Sequence, residues 1–102
     1  MFVLIAGGGR TGAQLATLLL SENYTIRLVE HRQDVLALLH QELPTESIYE
    51  GNPSDPAVLE AAGIRQAHAV AATTTDDAAN LSLCFIARKL FDVPRTIARV
   101  NN

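Results

Sequence analysis

The sequence predicts an α/β domain built on a doubly wound parallel sheet, and three observations carry that expectation. Short apolar runs alternate strictly with stretches of helical spacing along the 102 residues, as βαβ units require. The first apolar run ends in Gly7-Gly8-Gly9-Arg10-Thr11-Gly12 and leads straight into a helical pattern. An acidic residue, Glu30, closes the second run, 18 residues beyond Gly12. Right-handed crossovers then give the strand order 3-2-1-4-5 of a Rossmann-like sheet.

Taken in order, Phe2-Val3-Leu4-Ile5-Ala6 is apolar throughout, like a strand buried on both faces. From Thr11 to Glu22, Leu15, Ala16, Leu18 and Leu19 recur at helical spacing, and Ser21-Glu22-Asn23 closes the segment. Thr25 to Glu30 reads as the second strand. Gln33 to Glu42 reads as the second helix, with Val35, Leu36, Leu38 and Leu39 apolar and Pro44 just beyond its end. Thr45 to Glu50 is expected as the third strand. Asp55 is placed to cap a short helix that Pro56 begins; it carries Val58, Leu59 and Ala62 and stops at Gly63. Ala67 to Thr73 is expected as the fourth strand, Asp77 to Phe91 as a longer helix and Arg95 to Val100 as the fifth strand. The sequence stops at Asn101-Asn102, where a full dinucleotide fold would continue with another helix and strand. The expectation is one domain over residues 1–102, truncated after the fifth strand.

Composition narrows the function. With 48% hydrophobic and 19% charged residues, the chain supports one compact core and is too short for two domains. A net charge of −3 without a basic run lacks the electrostatic footprint of a nucleic-acid binder. No stretch reaches the roughly 20 apolar residues needed to span a bilayer. Met1 leads directly into a strand-like run, without the basic start of a signal peptide. The single cysteine, Cys84, rules out an internal disulfide and fits a reducing compartment. A cytoplasmic location is therefore expected.

The glycine motif is the strongest chemical signal, because it follows a strand and opens a helix. Gly7 permits the tight turn, Gly9 keeps side chains out from between backbone and phosphate, and Gly12 lets helix and strand approach. The helix N-terminus offers free N–H groups and partial positive charge to a diphosphate. Arg10 and Thr11 project from the same loop, and Arg10 adds a charge-assisted contact. Glu30 is placed to bind the ribose 2′- and 3′-hydroxyls, which favours NAD or ATP-type ligands over NADP. His31 and Arg32 follow at once and blur that preference, since both tolerate a phosphate. Asn52 follows the third strand, where an adenosine would lie. Thr73, Thr74 and Asp76 follow the fourth strand, and this cluster reads equally as helix capping or as a crevice lining.

Catalytic machinery is harder to find. His31, His40 and His68 are scattered, Cys84 sits among apolar residues, and no His/Cys/Asp cluster has metal-ligand spacing. A dehydrogenase also needs a substrate domain. The expected role is sensing a nucleotide, not turning it over. In the long helix, Leu81, Cys84 and Phe85 form one apolar stripe, with Leu83, Ile86, Ala87 and Leu90 on the opposite side. One stripe faces the sheet and the other calls for a partner, a second copy being the expectation.

These residues resemble the N-terminal nucleotide-binding domain of TrkA and of RCK (regulator of potassium conductance) proteins, also called KTN. The likeness runs through Gly7–Gly12, Glu30, Glu50-Gly51-Asn52 and Asp55-Pro56-Ala57-Val58-Leu59-Glu60-Ala61-Ala62-Gly63-Ile64. It continues through Ala69–Asp77 with Asn80-Leu81, and through Val93-Pro94-Arg95 to Ala98-Arg99-Val100-Asn101-Asn102. The resemblance implies a cytosolic regulatory domain that pairs as a homodimer or higher oligomer and binds NAD(H) or ATP, ADP or AMP. In that family such domains gate a membrane potassium channel or transporter subunit. It also implies phosphate contacts from Gly7, Gly9, Arg10 and Gly12, ribose contact from Glu30 and an adenosine contact from Asn52. Thr74, Asp76 and Asp77 would line the crevice, and Arg99 would stand near the ligand or a dimer contact. Three departures stand out. Asn52 replaces a common aspartate, Thr75 a frequent glycine, and Arg32 an acidic residue, the last favouring a ligand with more phosphate charge. The alternative functions are a small NAD(P)-dependent oxidoreductase, or a fragment of one, and a nucleotide module of another membrane system such as an antiporter.

Overall fold

Strand β1 (Phe2–Ala6) lies at the centre of the sheet, and every other element is placed by its relation to it. In the computed structural model, which describes residues 1–101, the order is β3 (Ile48–Glu50), β2 (Thr25–Glu30), β1, β4 (Ala69–Ala72), β5 (Arg95–Ala98). All pairings are parallel, with Ala6 opposite both Val29 and Ala72. The strand ends that follow these residues therefore share one edge of the sheet. The expected order 3-2-1-4-5 is the one observed.

Helices α1 (Arg10–Ser21) and α2 (Gln33–Glu42) cover one face, and α3 (Pro56–Ala61) and α4 (Asp77–Lys89) the other. Alternate residues of β1 divide between two cores: Val3 and Ile5 pack with Ala16, Leu28 and Leu39, while Leu4 and Ala6 pack with Leu59, Val70 and Leu83. That division is why β1 reads as continuously apolar. On the α1 side the cover is incomplete. A groove of about 600 Å³ runs over β4 and β5, lined by Val3, Leu15, Leu19, Ala69, Ala71 and Ile97 among others.

Several boundaries differ from the sequence expectation, each for a local reason. The third strand is only Ile48–Glu50, because Thr45–Ser47 coil into a 3-10 turn closed by Ser47 N–H on the Pro44 carbonyl at 2.9 Å. The fourth begins at Ala69, because Gly63 takes a left-handed conformation and starts another 3-10 turn at Ile64–Gln66. Helix α1 begins one residue early, at Arg10. Helix α4 ends at Lys89: Asp92 adopts φ 55° and the Val93 N–H returns to the Ala87 carbonyl, turning Phe91 into the core. Strand β5 ends at Ala98, two residues short of Val100. Of the two apolar stripes expected on α4, the one with Leu83 and Ala87 faces the sheet, with Leu90 at its end exposed. Asn102 lies outside the described residues.

Candidate functional site

At the carboxyl edge of the sheet, the turn from β1 into α1 is built by its glycines, each under a different constraint. Gly7 has φ 105°, which L side chains rarely adopt. A Cβ on Gly12 would stand 2.0 Å from the Gly7 carbonyl oxygen, so helix and turn meet in direct contact. Gly8 is likewise closed in by Leu28 and Leu39. Gly9 is different: a Cβ there would find only the Arg32 Nη2, at 3.8 Å. The protein does not need the missing side chain at Gly9, and the space it leaves faces solvent.

Gly9 is also the N-cap of α1, and having no side chain it caps nothing. The first helical bond runs from Ala13 N–H to the Gly9 carbonyl at 2.9 Å, which leaves the N–H groups of Arg10, Thr11 and Gly12 without an intrahelical acceptor. Arg10 is exposed and Thr11 half-buried beside them. Such a turn presents hydrogen-bond donors and partial positive charge to an anion.

Glu30 lies under this turn. Its Oε1 accepts from Gly8 N–H at 2.8 Å and from Arg32 Nη2 at 3.0 Å. Its Oε2 accepts from the backbone N–H of His31 (2.9 Å) and Arg32 (2.8 Å) and from Arg32 Nε (3.0 Å). The residue is 1% exposed. Burial pushes its carboxyl upward, but the bonds from the Arg32 side chain and the N–H groups of Arg32, Gly8 and His31 outweigh it and hold the pKa at about 2. The Arg32 guanidinium is raised in turn, first by its bond to Glu30. His31 is exposed beside the pair.

The remaining expected residues fall around the same edge. Asn52 is exposed, and its Oδ1 accepts from Ser54 N–H at 2.9 Å, making the turn into α3. Thr73 is buried and its hydroxyl donates to the Gly7 carbonyl at 2.7 Å, bracing the glycine turn from β4. Asp76 caps α4 through Ala79 N–H, at 3.2 Å, and its own N–H donates to the Thr74 hydroxyl. Capping thus accounts for the Asp76 carboxylate, while the Thr74 hydroxyl links Asp76 to Asn80. Arg99 is half-buried, with its N–H on the Ala72 carbonyl at 2.9 Å.

Sequence reasoning gave no role to Asn80, which is fully buried near the start of α4. Its Oδ1 accepts from the Thr74 N–H (3.0 Å) and hydroxyl (2.6 Å), and its Nδ2 donates to the carbonyls of Thr74 and Arg99, each at 3.0 Å. Asn101 adds bonds to Asp77 and Thr74. The loop after β4 and the end of β5 are therefore tied to one side chain. An asparagine in line with the apolar Leu83 and Ala87 was the available signal. Among the described residues no group of three or more His, Cys, Asp or Glu side chains could hold a metal ion. Nor does any helix among them have the length and apolarity to cross a membrane.

Comparison with known proteins fits this geometry. A family model described as the TrkA-N domain matches residues 3–102. The chain is 40% identical over 102 residues to the Trk system potassium uptake protein TrkA homolog of Methanothermobacter thermautotrophicus, covering all of this chain and 46% of that protein. It is 37% identical over 102 residues to the Trk system potassium uptake protein TrkA of Haemophilus influenzae, again over the whole chain, and covers 22% of that protein. It thus spans less than half the length of these relatives. Among solved structures, GsuK bound to ADP superposes with a TM-score of 0.80 at 25% identity, over 97% of this chain and 25% of that one.

Proposed function

The chain belongs to the TrkA-N domain family, and from that membership we propose that it is a regulatory nucleotide-binding domain of a potassium transport system. The observation that carries this reading is Gly9: the only glycine of its loop whose Cβ would meet no close protein atom lies at an uncapped helix N-terminus. An adenine nucleotide places its diphosphate there, on the free N–H groups of α1, with Arg10 and Thr11 alongside and Gly7 and Gly12 shaping the turn. The adenosine extends over the ends of β2 and β3, past Glu30, His31, Arg32 and Asn52. Thr73, Thr74, Asp76 and Arg99 border the other side of the crevice. GsuK in complex with ADP supports an adenine nucleotide as the ligand class, with NAD(H), ATP, ADP and AMP as its members to be tested.

The domain acts from the cytoplasm as a homodimer or higher oligomer, docked to a membrane channel or transporter subunit. A nucleotide that binds one arrangement of the assembly better shifts the population toward it by its differential affinity. No turnover is required for that. Calorimetric titration of the purified protein with NAD+, NADH, ATP, ADP and AMP tests the reading. Micromolar binding of at least one of them, with NADH left unoxidised in the presence of carbonyl and quinone acceptors, is expected. Absence of binding, or steady NADH oxidation, overturns it.

A further inference from the structure

We propose that Arg32, and not Glu30, reads the adenosine ribose, and that it selects a ligand carrying a 2′-phosphate, as in NADP(H), over one with a free 2′-hydroxyl. The inference rests on the nucleotide-binding reading above and deepens it at the ribose subsite.

Glu30 has no capacity left for a ribose. A carboxylate offers about four lone-pair positions, and five donors already converge on it at 2.8–3.0 Å. Three of those donors are backbone N–H groups, of Gly8, His31 and Arg32, so they do not swing away to admit a ligand. Glu30 is better described as the residue that holds the glycine turn to the end of β2.

Arg32 is in the opposite state. Its side chain is 48% exposed, and only Nε and one Nη2 hydrogen are committed to Glu30. Of five guanidinium N–H donors, three remain, on the edge turned away from Glu30. The guanidinium lies beside Gly9, with Nη2 3.8 Å from where a Cβ would be. Its position is therefore bounded on one side by the phosphate turn and on the other by the end of β2. Arg32 is also the N-cap of α2, whose first bond runs from Leu36 N–H to the Arg32 carbonyl at 2.9 Å. The N–H groups of Gln33, Asp34 and Val35 thus add the positive end of a second helix.

Of the acids nearby, Glu30 is paired with Arg32, while Glu50, whose carboxylate accepts from the neutral Gln33 amide at 3.0 Å, keeps its charge and opposes a bound phosphate. Asp34, in the first turn of α2, remains as an opposing charge. A guanidinium with a free planar fork matches a phosphate dianion far better than a hydroxyl, and an arginine in this place is how such sheets accept a 2′-phosphate.

Two ligand pairs that differ only at that phosphate test the proposal on the purified protein: NADP+ against NAD+, and adenosine 2′,5′-bisphosphate against 5′-AMP. The wild type should bind the 2′-phosphorylated member of each pair at least tenfold more tightly. The preference should weaken below about pH 6, as the phosphate loses its second charge. In Arg32→Ala it should disappear, the 2′-phosphorylated member of each pair losing at least tenfold more affinity than its 2′-hydroxyl counterpart. Arg32→Gln, which can still donate to Glu30, guards against loss of fold and should also lose the preference. Equal affinity within the pairs, tighter binding of NAD+, or a preference that survives both substitutions overturns the proposal and leaves nucleotide binding standing. Failure of every nucleotide to bind overturns the functional reading, and this inference with it.

Discussion

Gly9 and Gly12 stand three residues apart in one turn, yet their side chains are missing for different reasons. Gly12 is required by the fold, since a methyl group would collide with the Gly7 carbonyl. Gly12→Ala should therefore cost at least 2–3 kcal/mol. Gly9→Ala should change stability by less than about 1 kcal/mol and instead weaken nucleotide binding. Urea unfolding alongside titration separates the two. Glu30 makes a second residue-scale prediction. Its pKa of about 2 lies below its ordinary value of 4.5, so the folded state favours the carboxylate. Its contribution, on the order of 3 kcal/mol, is complete above about pH 5 and fades as pH falls toward 2. Glu30→Gln should flatten that acid limb of the stability–pH curve, measured by unfolding at a series of pH values.

At the scale of elements, the caps of α3 and α4 were legible in the sequence. Asp55 before Pro56 caps α3 through Ala57 N–H at 2.9 Å, and Asp76 caps α4. What could not be read locally is how the end of β5 is held. Asn80 joins elements 19 residues apart, from α4 to the Arg99 carbonyl, and no periodicity records such a bond. Asn80→Ala would leave the half-buried Thr74 and Arg99 groups short of partners and should cost about 1–3 kcal/mol. If the tie acts as described, amide exchange should accelerate at the loop after β4 and at residues 99–101 more than in β1 or β2. Uniform acceleration throughout the sheet would count against a local tie.

Across the whole molecule, the sheet is covered unevenly. Both faces are buried in β1 from Val3 to Ala6 and in β2 from Leu28 to Glu30, whereas the groove over β4 and β5 leaves Ile97 exposed and the outer side of α4 leaves Leu81 and Phe85 exposed, Phe85 by 63%. The expected second apolar stripe of α4 is there, although Cys84 turns inward to pack against the core. The exposed aromatic and aliphatic side chains on the outer side of α4 suit contact with a second copy. Sedimentation should show a dimer or larger species, and Phe85→Glu combined with Leu81→Glu should give monomers at nearly unchanged stability, because neither side chain is in the core. A wild-type monomer at tens of micromolar would exclude that use of the surface.

Strand order and the place of the glycine turn followed from the sequence alone. Apolar run length, glycine spacing and the rule of right-handed crossovers act on short stretches and leave few arrangements. The residues expected at the site do gather at one edge of the sheet, because parallel strands send all their carboxyl ends there. Tertiary structure decided what those residues do with their hydrogen bonds. It turned Glu30 toward the glycine turn, left Arg32 with donors to spare, and spent Asp76 on capping and Thr74 on Asn80. A side chain's type sets what it can bind. Which of its partners it meets depends on residues brought within 3 Å of it by the fold, and that proximity is not written in the spacing of any one segment.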